Sequence, residues 1–533
     1  MSATTSSARS AWAPLAGATF RMLWLVQLGS NIGTWMQSVG AQWYLVDAAA
    51  GSLLIALVQT ASLAPSLVFA VPAGVIADLW DRRRLLISLS LLSAIVAAIL
   101  TIVTVVGALT PWTLLAFTFA LGSLSALTAP AWQAVQPELV PREQISAASG
   151  LSSITVNGAR AIGPALAGVI VALAGPSAVF GLNALSFALA AVAVWRWRRA
   201  PQPGLDNREL FRDALRAGIR YVASAGLVRR ILLRSALFGL PAAALWALLP
   251  LTAQRLQLDS SGYGLLLGAL GVGAVAGVFL LPPARKKAPD NVILAVSAAV
   301  FALGTFAAAW LPLLAVIVLL VLSGAAWIGT LTVLNAALQL TLPQWVRSRG
   351  VAVYLLMFMG AQAIGSVLWG WVGDALTVPL SLTIAAVLLA LVAISVIWLP
   401  LREGTGTIDR TIEFTWPTPT LVFDVAPTDG PVTVMIDYTV RAEDRSGFES
   451  AMRMVRLSRQ RTGASHWRLY CDGDVADRYR ESFVVPSWGE FRRQNTERLT
   501  GRDRETVAAA MRFVTGAPSE EHFLPPASSS ARR

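Results

Sequence analysis

What the chain lacks narrows its possible roles. Cys471 is the only cysteine, so no intrachain disulfide can form, and a lone thiol in a polar C-terminal region fits a reducing cytoplasm. The two histidines, His466 and His522, lie in the same region, which leaves every long apolar stretch without an imidazole. No Gly-rich phosphate loop ending in Gly-Lys-Ser/Thr occurs, so direct ATP drive is not expected. Charged residues make up 14% of the chain, well below the level of about a quarter that covers a soluble globule. Before Phe20 there is a single Arg9 and no apolar core, so no cleavable signal peptide is expected.

What the chain has in excess is apolar surface: 55% hydrophobic residues and a mean hydropathy of +0.62. A helix crosses the hydrocarbon layer with roughly 20 apolar residues. Twelve stretches meet that length, in two blocks of six. The first block reads Phe20 to Val46, Leu53 to Leu79, Leu85 to Leu109, Trp112 to Val135, Ile145 to Ala174 and Pro176 to Val194. The second reads Ile231 to Leu251, Tyr263 to Leu281, Val292 to Leu311, Pro312 to Leu342, Val351 to Leu376 and Val378 to Leu399.

The net charge of +12 could suggest nucleic acid, but its placement argues for a membrane. Arg82, Arg83, Arg84, Arg142, Arg196, Arg198, Arg199, Arg285, Lys286, Lys287, Arg347 and Arg349 all fall in even-numbered gaps, while odd gaps hold little beyond Arg255. Because basic loops stay on the cytoplasmic side, both termini are expected in the cytoplasm of a bacterial inner-membrane protein. The lipid bilayer is then an obligate partner, no nucleic acid is expected, and no cofactor is implied.

The two blocks carry an internal repeat. Gly158, Ala161, Ile162, Gly163 and Gly168 recur at one constant offset as Gly360, Ala363, Ile364, Gly365 and Gly370; Gly122 and Pro141 recur as Gly324 and Pro343. The expected organisation is a disordered N-terminus (1–19), a first six-helix bundle (20–195) and a central cytoplasmic loop (196–230). A second bundle (231–400), a linker (401–431), a soluble domain (432–517) and a disordered tail (518–533) follow. In the central loop Arg208, Arg212, Arg216 and Arg220 recur every four residues, which suits an amphipathic helix on an anionic leaflet and equally a solvated linker helix.

Past Pro400 the composition turns polar. Thr433 to Arg441 reads as a strand and Asp444 to Gln460 as an amphipathic helix, with Phe448, Met452, Val455 and Leu457 toward a core. Strands at Ser465 to Cys471 and Arg478 to Val485 and a helix from Ser487 to Arg498 complete a small α+β sandwich. It resembles the ferredoxin-like domains related to antibiotic-biosynthesis monooxygenases. That resemblance implies self-association through the sheet. His466, Trp467 and Trp488 lack a metal-ligand cluster or catalytic pair, so a regulatory or dimerising module is expected rather than an enzyme.

Between the second and third stretches the chain reads GVIADLWDRRR. Gly74 at a helix end permits close approach, Asp78 can accept from a helix N-terminus, and Arg82 and Arg83 hold the turn at a charged surface. Gly74, Asp78, Arg82 and Arg83 resemble the signature loop of the major facilitator superfamily; Leu79 and Asp81 depart from it. The resemblance implies that Asp78 locks a cytoplasmic gate against the eleventh span near Arg347. Gly163, Pro164 and Gly168 resemble the superfamily's exporter motif, in which small residues pack the fifth span on the eighth. Residues 15 to 400 look most like the branch that includes bacterial enterobactin exporters. The fold implied is an all-α polytopic membrane protein of twelve transmembrane helices in two six-helix pseudo-repeats, carrying the small ferredoxin-like domain.

Helical phase marks a wet path. Gln27, Asn31, Thr34, Ser38 and Gln42 share one face of the first span, Thr332, Asn335 and Gln339 one face of the tenth, and Ser153 and Asn157 lie beside Arg160 in the fifth. Arg160 falls near the bilayer midplane, where an arginine needs water or a partner. It either faces the cavity and favours anionic or acceptor-rich substrates or is a strut satisfied by carbonyls and amides. Trp35, Trp43, Trp246 and Trp327 could offer flat surface to an aromatic substrate. The expectation is a secondary transporter, not an enzyme, that exports a small amphipathic or anionic molecule such as a siderophore, drug or metabolite by alternating access. A lipid transporter or importer on the same fold and a membrane-tethered enzyme are the alternatives.

Overall fold

The apolar stretches form helices because a backbone surrounded by hydrocarbon must satisfy its own N–H and C=O groups. The computed structural model describes residues 12–197, 221, 225–401 and 424–525. Residues 12–401 hold α1 (Ala18–Asp47), α2 (Ser52–Leu79), α3 (Arg82–Val105) and α4 (Pro111–Val135). The run Ile145–Arg196 is one helix except at Gly175, whose φ of 76° and ψ of 172° interrupt it. Its halves, 145–174 and 176–196, are α5 and α6. Then come α7 (Gly226–Arg255), α8 (Ser260–Lys287), α9 (Asp290–Trp310), α10 (Leu313–Thr341), α11 (Gln344–Ala375) and α12 (Val378–Ile394). Polar side chains start several helices: Asp81 caps α3 by accepting from the Arg84 amide at 2.8 Å, and Asp259 caps α8 through the Gly262 amide at 3.0 Å.

Among the described residues nine helices are long and apolar enough to cross a membrane, the unbroken run through α5 and α6 counting once. The sequence count of twelve adds the break at Gly175, α1, whose polar stripe lowers its hydropathy, and α12, which has 17 residues. Ile95, Ile99 and Ile102 form an exposed stripe along α3, and Ile384, Val387 and Leu391 form one on α12. Apolar stripes of that length need a lipid or protein cover.

The residues group into two compact units. The first combines Met1–Gly204, Leu232–Leu334 and Tyr354–Pro400, so both apolar halves share it. The second combines Leu205–Ile231, Asn335–Val353 and Leu401–Arg533. The N-terminal segment expected to stay disordered through residue 19 is already a 3₁₀ turn at Ala13–Ala16, and α1 begins at Ala18. The arginine series from Arg208 to Arg220 lies outside the described residues, as does the linker before residue 424.

In the second unit β1 (Val432–Thr439), α13 (Arg445–Thr462), β2 (Ser465–Cys471) and β3 (Arg478–Val485) precede α14 (Trp488–Arg493), α15 (Gly501–Met511) and β4 (Ser519–Phe523). The sheet order is β2-β3-β1-β4, every pairing antiparallel. The tail expected to be disordered from 518 therefore starts with an ordered strand, because β4 takes its backbone partners from β1. Phe448, Met452 and Val455 are buried as their spacing implies; Leu457 is exposed instead, on the far face of α13.

A fully buried carboxylate organises this module. Glu481 on β3 accepts from the Tyr438 hydroxyl (2.7 Å), the Trp467 indole N–H (2.7 Å) and Arg459 Nε (3.3 Å). Three elements thus converge on one charge. Glu490 likewise holds Arg498 through two hydrogen bonds, at 2.7 and 3.0 Å, and the Arg498 guanidinium stacks over Trp345 at 4.7 Å. Tyr221 meets the same indole edge-on at 5.6 Å.

Glu481→Ala leaves Arg459 buried without its counter-charge and is expected to cost about 3–5 kcal/mol, read as lost hydrogen-exchange protection in β1 and β3 of the intact protein. On β1, hydrogen bonds from Arg480 and then Arg478 outweigh partial burial and lower Asp437 to about 2. A depressed carboxylate stabilises the fold above its unfolded pKa of about 4 and stops doing so as pH falls through about 2. Protection of β1 is therefore expected to drop across that interval, and Asp437→Asn to flatten the drop.

Candidate functional site

The repeated glycines occupy equivalent crossings in the two halves. A Cβ on Gly163 would lie 2.7 Å from Trp35 Cβ and 3.2 Å from the Ile32 carbonyl, on α1; one on Gly365 would lie 2.4 Å from the Leu240 carbonyl, on α7. Each presses on the first helix of its own half. A Cβ on Gly168 would lie 2.6 Å from the Ser260 carbonyl oxygen and 2.9 Å from Gly264 Cα of α8, and one on Gly370 would lie 2.6 Å from Ala56 Cβ and 2.9 Å from Leu53 Cα of α2. These crossings join one half to the other. Gly122 against Ser62 O and Gly324 against Leu270 O repeat the relation within each half. Asp374 adds a polar clasp by accepting from the Ser52 and Leu53 amides at 2.6 and 3.1 Å, where the α2 N-terminus favours negative charge.

Near the end of α2, Gly74 has open space where its Cβ would be, so among the described residues no helix approaches closely there. Arg82 pairs with Glu138 at 2.7 Å and donates to the Ala77 carbonyl, and Arg83 donates to the Val194 and Trp195 carbonyls at the end of α6. Both arginines tie the α2–α3 turn to neighbouring helix ends. The Asp78 side chain lies outside the described residues.

Above this loop a cavity of about 480 Å³ opens among α1, α3, α4, α5 and α6. Asn31 and Thr34 line it from α1 and Asn157 from α5, together with Gln27 and Ser153. Ser90 and Ser93 of α3, Ser125 and Thr128 of α4, Gln133, Gln136, Trp132 and Phe187 complete most of the wall. In α3 and α4 each pair of hydroxyls sits three residues apart, on one helix face.

The remaining sequence candidates lie elsewhere. Ser38 donates to the Thr34 carbonyl at 3.2 Å and does not line the cavity. Gln42 is buried and accepts from the Tyr263 hydroxyl, tying α1 to α8. Asn335 and Gln339 bond to each other at 3.1 Å in the second unit. Arg160 is also absent from the wall; its guanidinium stands 5.4 Å from the Trp35 ring, and its Nε has no hydrogen-bond partner. For Ser38 and Gln42 the cause is position along the helix axis: they lie beyond Trp35, where α1 and α5 close together at Gly163.

A lipid-exposed helical bundle with a polar cavity and repeated inter-half crossings is the architecture of a polytopic transporter. Solved transporters share it: a mutant of the nucleoside transporter NupG (TM-score 0.61, 13% identity, 72% of this chain and 99% of that one) and an inward-facing, occupied bacterial homolog of the human lysosomal transporter Spinster (TM-score 0.59, 13% identity, 72% and 97%). That likeness carries the fold alone. The chain belongs to the transmembrane secretion effector family of the major facilitator superfamily, whose pattern matches residues 9–527. It is 32% identical to the staphyloferrin A transporter of Staphylococcus aureus over 30% of this chain and 40% of that protein. It is 26% identical to macrolide efflux protein A of Streptococcus pyogenes over 33% and 43%. With the enterobactin exporter EntS of Salmonella typhi it shares 28% identity over 57% and 73%. The chain thus matches about two fifths of the length of the first two relatives.

Gly168→Ala places a methyl group against α8 backbone that cannot swing away, so about 1–3 kcal/mol of overpacking is expected. Gly158→Ala, where a Cβ meets nothing within 4 Å, is the control. Thermal aggregation of the detergent-solubilised protein should come at lower temperature for the first variant and stay unchanged for the second.

Proposed function

We propose that this protein is a secondary transporter of a bacterial inner membrane that exports a small amphipathic molecule, of the siderophore, drug or metabolite kind, by alternating access. The observation that carries the reading is the hydroxyl- and amide-lined cavity inside helices whose outer faces are apolar stripes. A polar hollow of that size is costly in hydrocarbon unless it holds water or a guest. The names of the relatives, a siderophore transporter, a siderophore exporter and a macrolide efflux protein, support export of such molecules.

In this reading all twelve helices cross, with α5 and α6 counted on either side of Gly175, and α1 spans because its polar face is turned to the cavity. The basic gaps put both termini and the C-terminal module in the cytoplasm. The β2-β3-β1-β4 order and the strand–helix sequence support a ferredoxin-like module there, able to self-associate along its free β2 edge. Gly163, Pro164 and Gly168 act as the exporter-type packing motif, and Asp78, Arg82 and Arg83 as the gating loop. The anionic preference drawn from Arg160 loses its support, since that residue stands on Trp35 and not in the cavity.

Inside-out vesicles carrying the protein, loaded across a compound panel with and without a pH gradient, test this. Accumulation above that of vesicles lacking the protein is expected for some amphipathic compounds, and it should persist after truncation at Pro400. Uptake confined to right-side-out vesicles, or turnover of a compound that is lost on truncation, would defeat the export reading.

A further inference from the structure

Much of the donor capacity of the cavity wall is already committed. Thr34, Ser93, Thr128, Ser152, Ser153 and Thr155 each donate their hydroxyl hydrogen to the carbonyl one turn back, at 2.6 to 3.2 Å. Such bonds are retained where water is scarce, because each satisfies both partners within one helix. What each hydroxyl still offers is its oxygen lone pairs. Two of the lining amides also spend an N–H. Asn157 spends an N–H on the Ser153 carbonyl at 2.9 Å, and Gln27 spends one on Asn31 Oδ1 at 3.3 Å. Gln27 Oε1 is left buried with no partner. Among the described residues that line the cavity none carries a formal charge.

We infer that this cavity, read as the transport site proposed above, selects uncharged molecules rich in hydrogen-bond donors, such as polyols and glycosides that also carry an apolar face. A guest with hydroxyl or amide donors finds acceptors that give up nothing to receive them. An acceptor-only guest gains nothing from those six hydroxyls, whose hydrogens are already spent. A carboxylate or ammonium group would shed its water without meeting a counter-ion. Trp132 and Phe187 supply the surface for the apolar face, since CH-rich and aromatic groups pack on such rings.

Titration calorimetry on the full-length protein in lipid nanodiscs tests the inference with three matched probes: para-nitrophenyl glucoside, its per-O-methylated ether and the corresponding glucuronide. The ether keeps every acceptor and loses every donor; the glucuronide adds a carboxylate. The glucoside is expected to bind about tenfold more tightly than either, the equivalent of one or two hydrogen bonds. Gln27→Met and Thr34→Val, which preserve volume and remove acceptors, should weaken the glucoside severalfold and leave the ether unchanged. Equal or tighter binding of the ether or the glucuronide overturns the inference, as does a glucoside that fails to bind. If that happens while inside-out vesicles still accumulate other compounds, donor selection is wrong and export stands. If the preference holds and no compound moves, export is the claim that fails.

Discussion

Two pairs of helix crossings, α5 on α8 and α2 on α11, hold the halves of the bundle together, and both depend on the absence of a side chain. Without a hydrophobic drive between helices in lipid, association rests on close van der Waals contact, which small residues permit. At Gly168 and Gly370 the neighbouring backbone lies within 3 Å of where a Cβ would stand. The same residue thus fixes the same crossing in each repeat, once from the first half outward and once from the second. A packing unit used twice in this way gives the pseudo-twofold arrangement on which rocking between two states is built. Asp374 and Asp259 show that the repeat is not exact: the α2 N-terminus takes its carboxylate from α11, the α8 N-terminus from its own preceding residue.

The crossings also set where the cavity ends. Trp35 against Gly163 seals α1 to α5, and Gln37, which accepts from Asn183, joins α1 to α6. Below that level Gln27, Asn31 and Thr34 face open volume; above it Ser38 and Gln42 are engaged in helix contacts. A polar stripe on one helix therefore divides into a binding part and a structural part without any change in its periodicity.

This is why the sequence was readable up to a point. Long apolar runs, the break near Gly175, the repeated glycines and the α1 stripe are all local signals. Phase around a helix is local too, but depth along it is set by partners such as Gly163, so Ser38 and Gln42 could not be separated from Asn31 and Thr34, and Arg160 leaves the wall through its contact with Trp35. Gly74 misleads for the same reason, since a glycine marks an approach only if another helix is there. In the C-terminal module α15 and β4 escaped notice because Gly501–Met511 has few apolar residues and Ser519–Phe523 is short and charged. Their stability comes from pairing with β1 and from Asp503 meeting Arg461 and Ser458, partners distant in sequence.

The two parts of the chain solve the same problem of buried polarity in opposite ways. The C-terminal module buries full charges and pairs them, with Glu481 taking three donors and Glu490 two hydrogen bonds from the Arg498 guanidinium. Such a network is rigid, because removing any member strands a charge. Six of the hydroxyls that line the cavity are instead already satisfied by their own helix. Their remaining lone pairs gain from water or a guest, yet losing that contact strands no proton and no charge. A wall of this kind can be wetted, filled and emptied in turn at little cost, which is what a site that must face both sides of a membrane requires and what a ring of ion pairs would forbid.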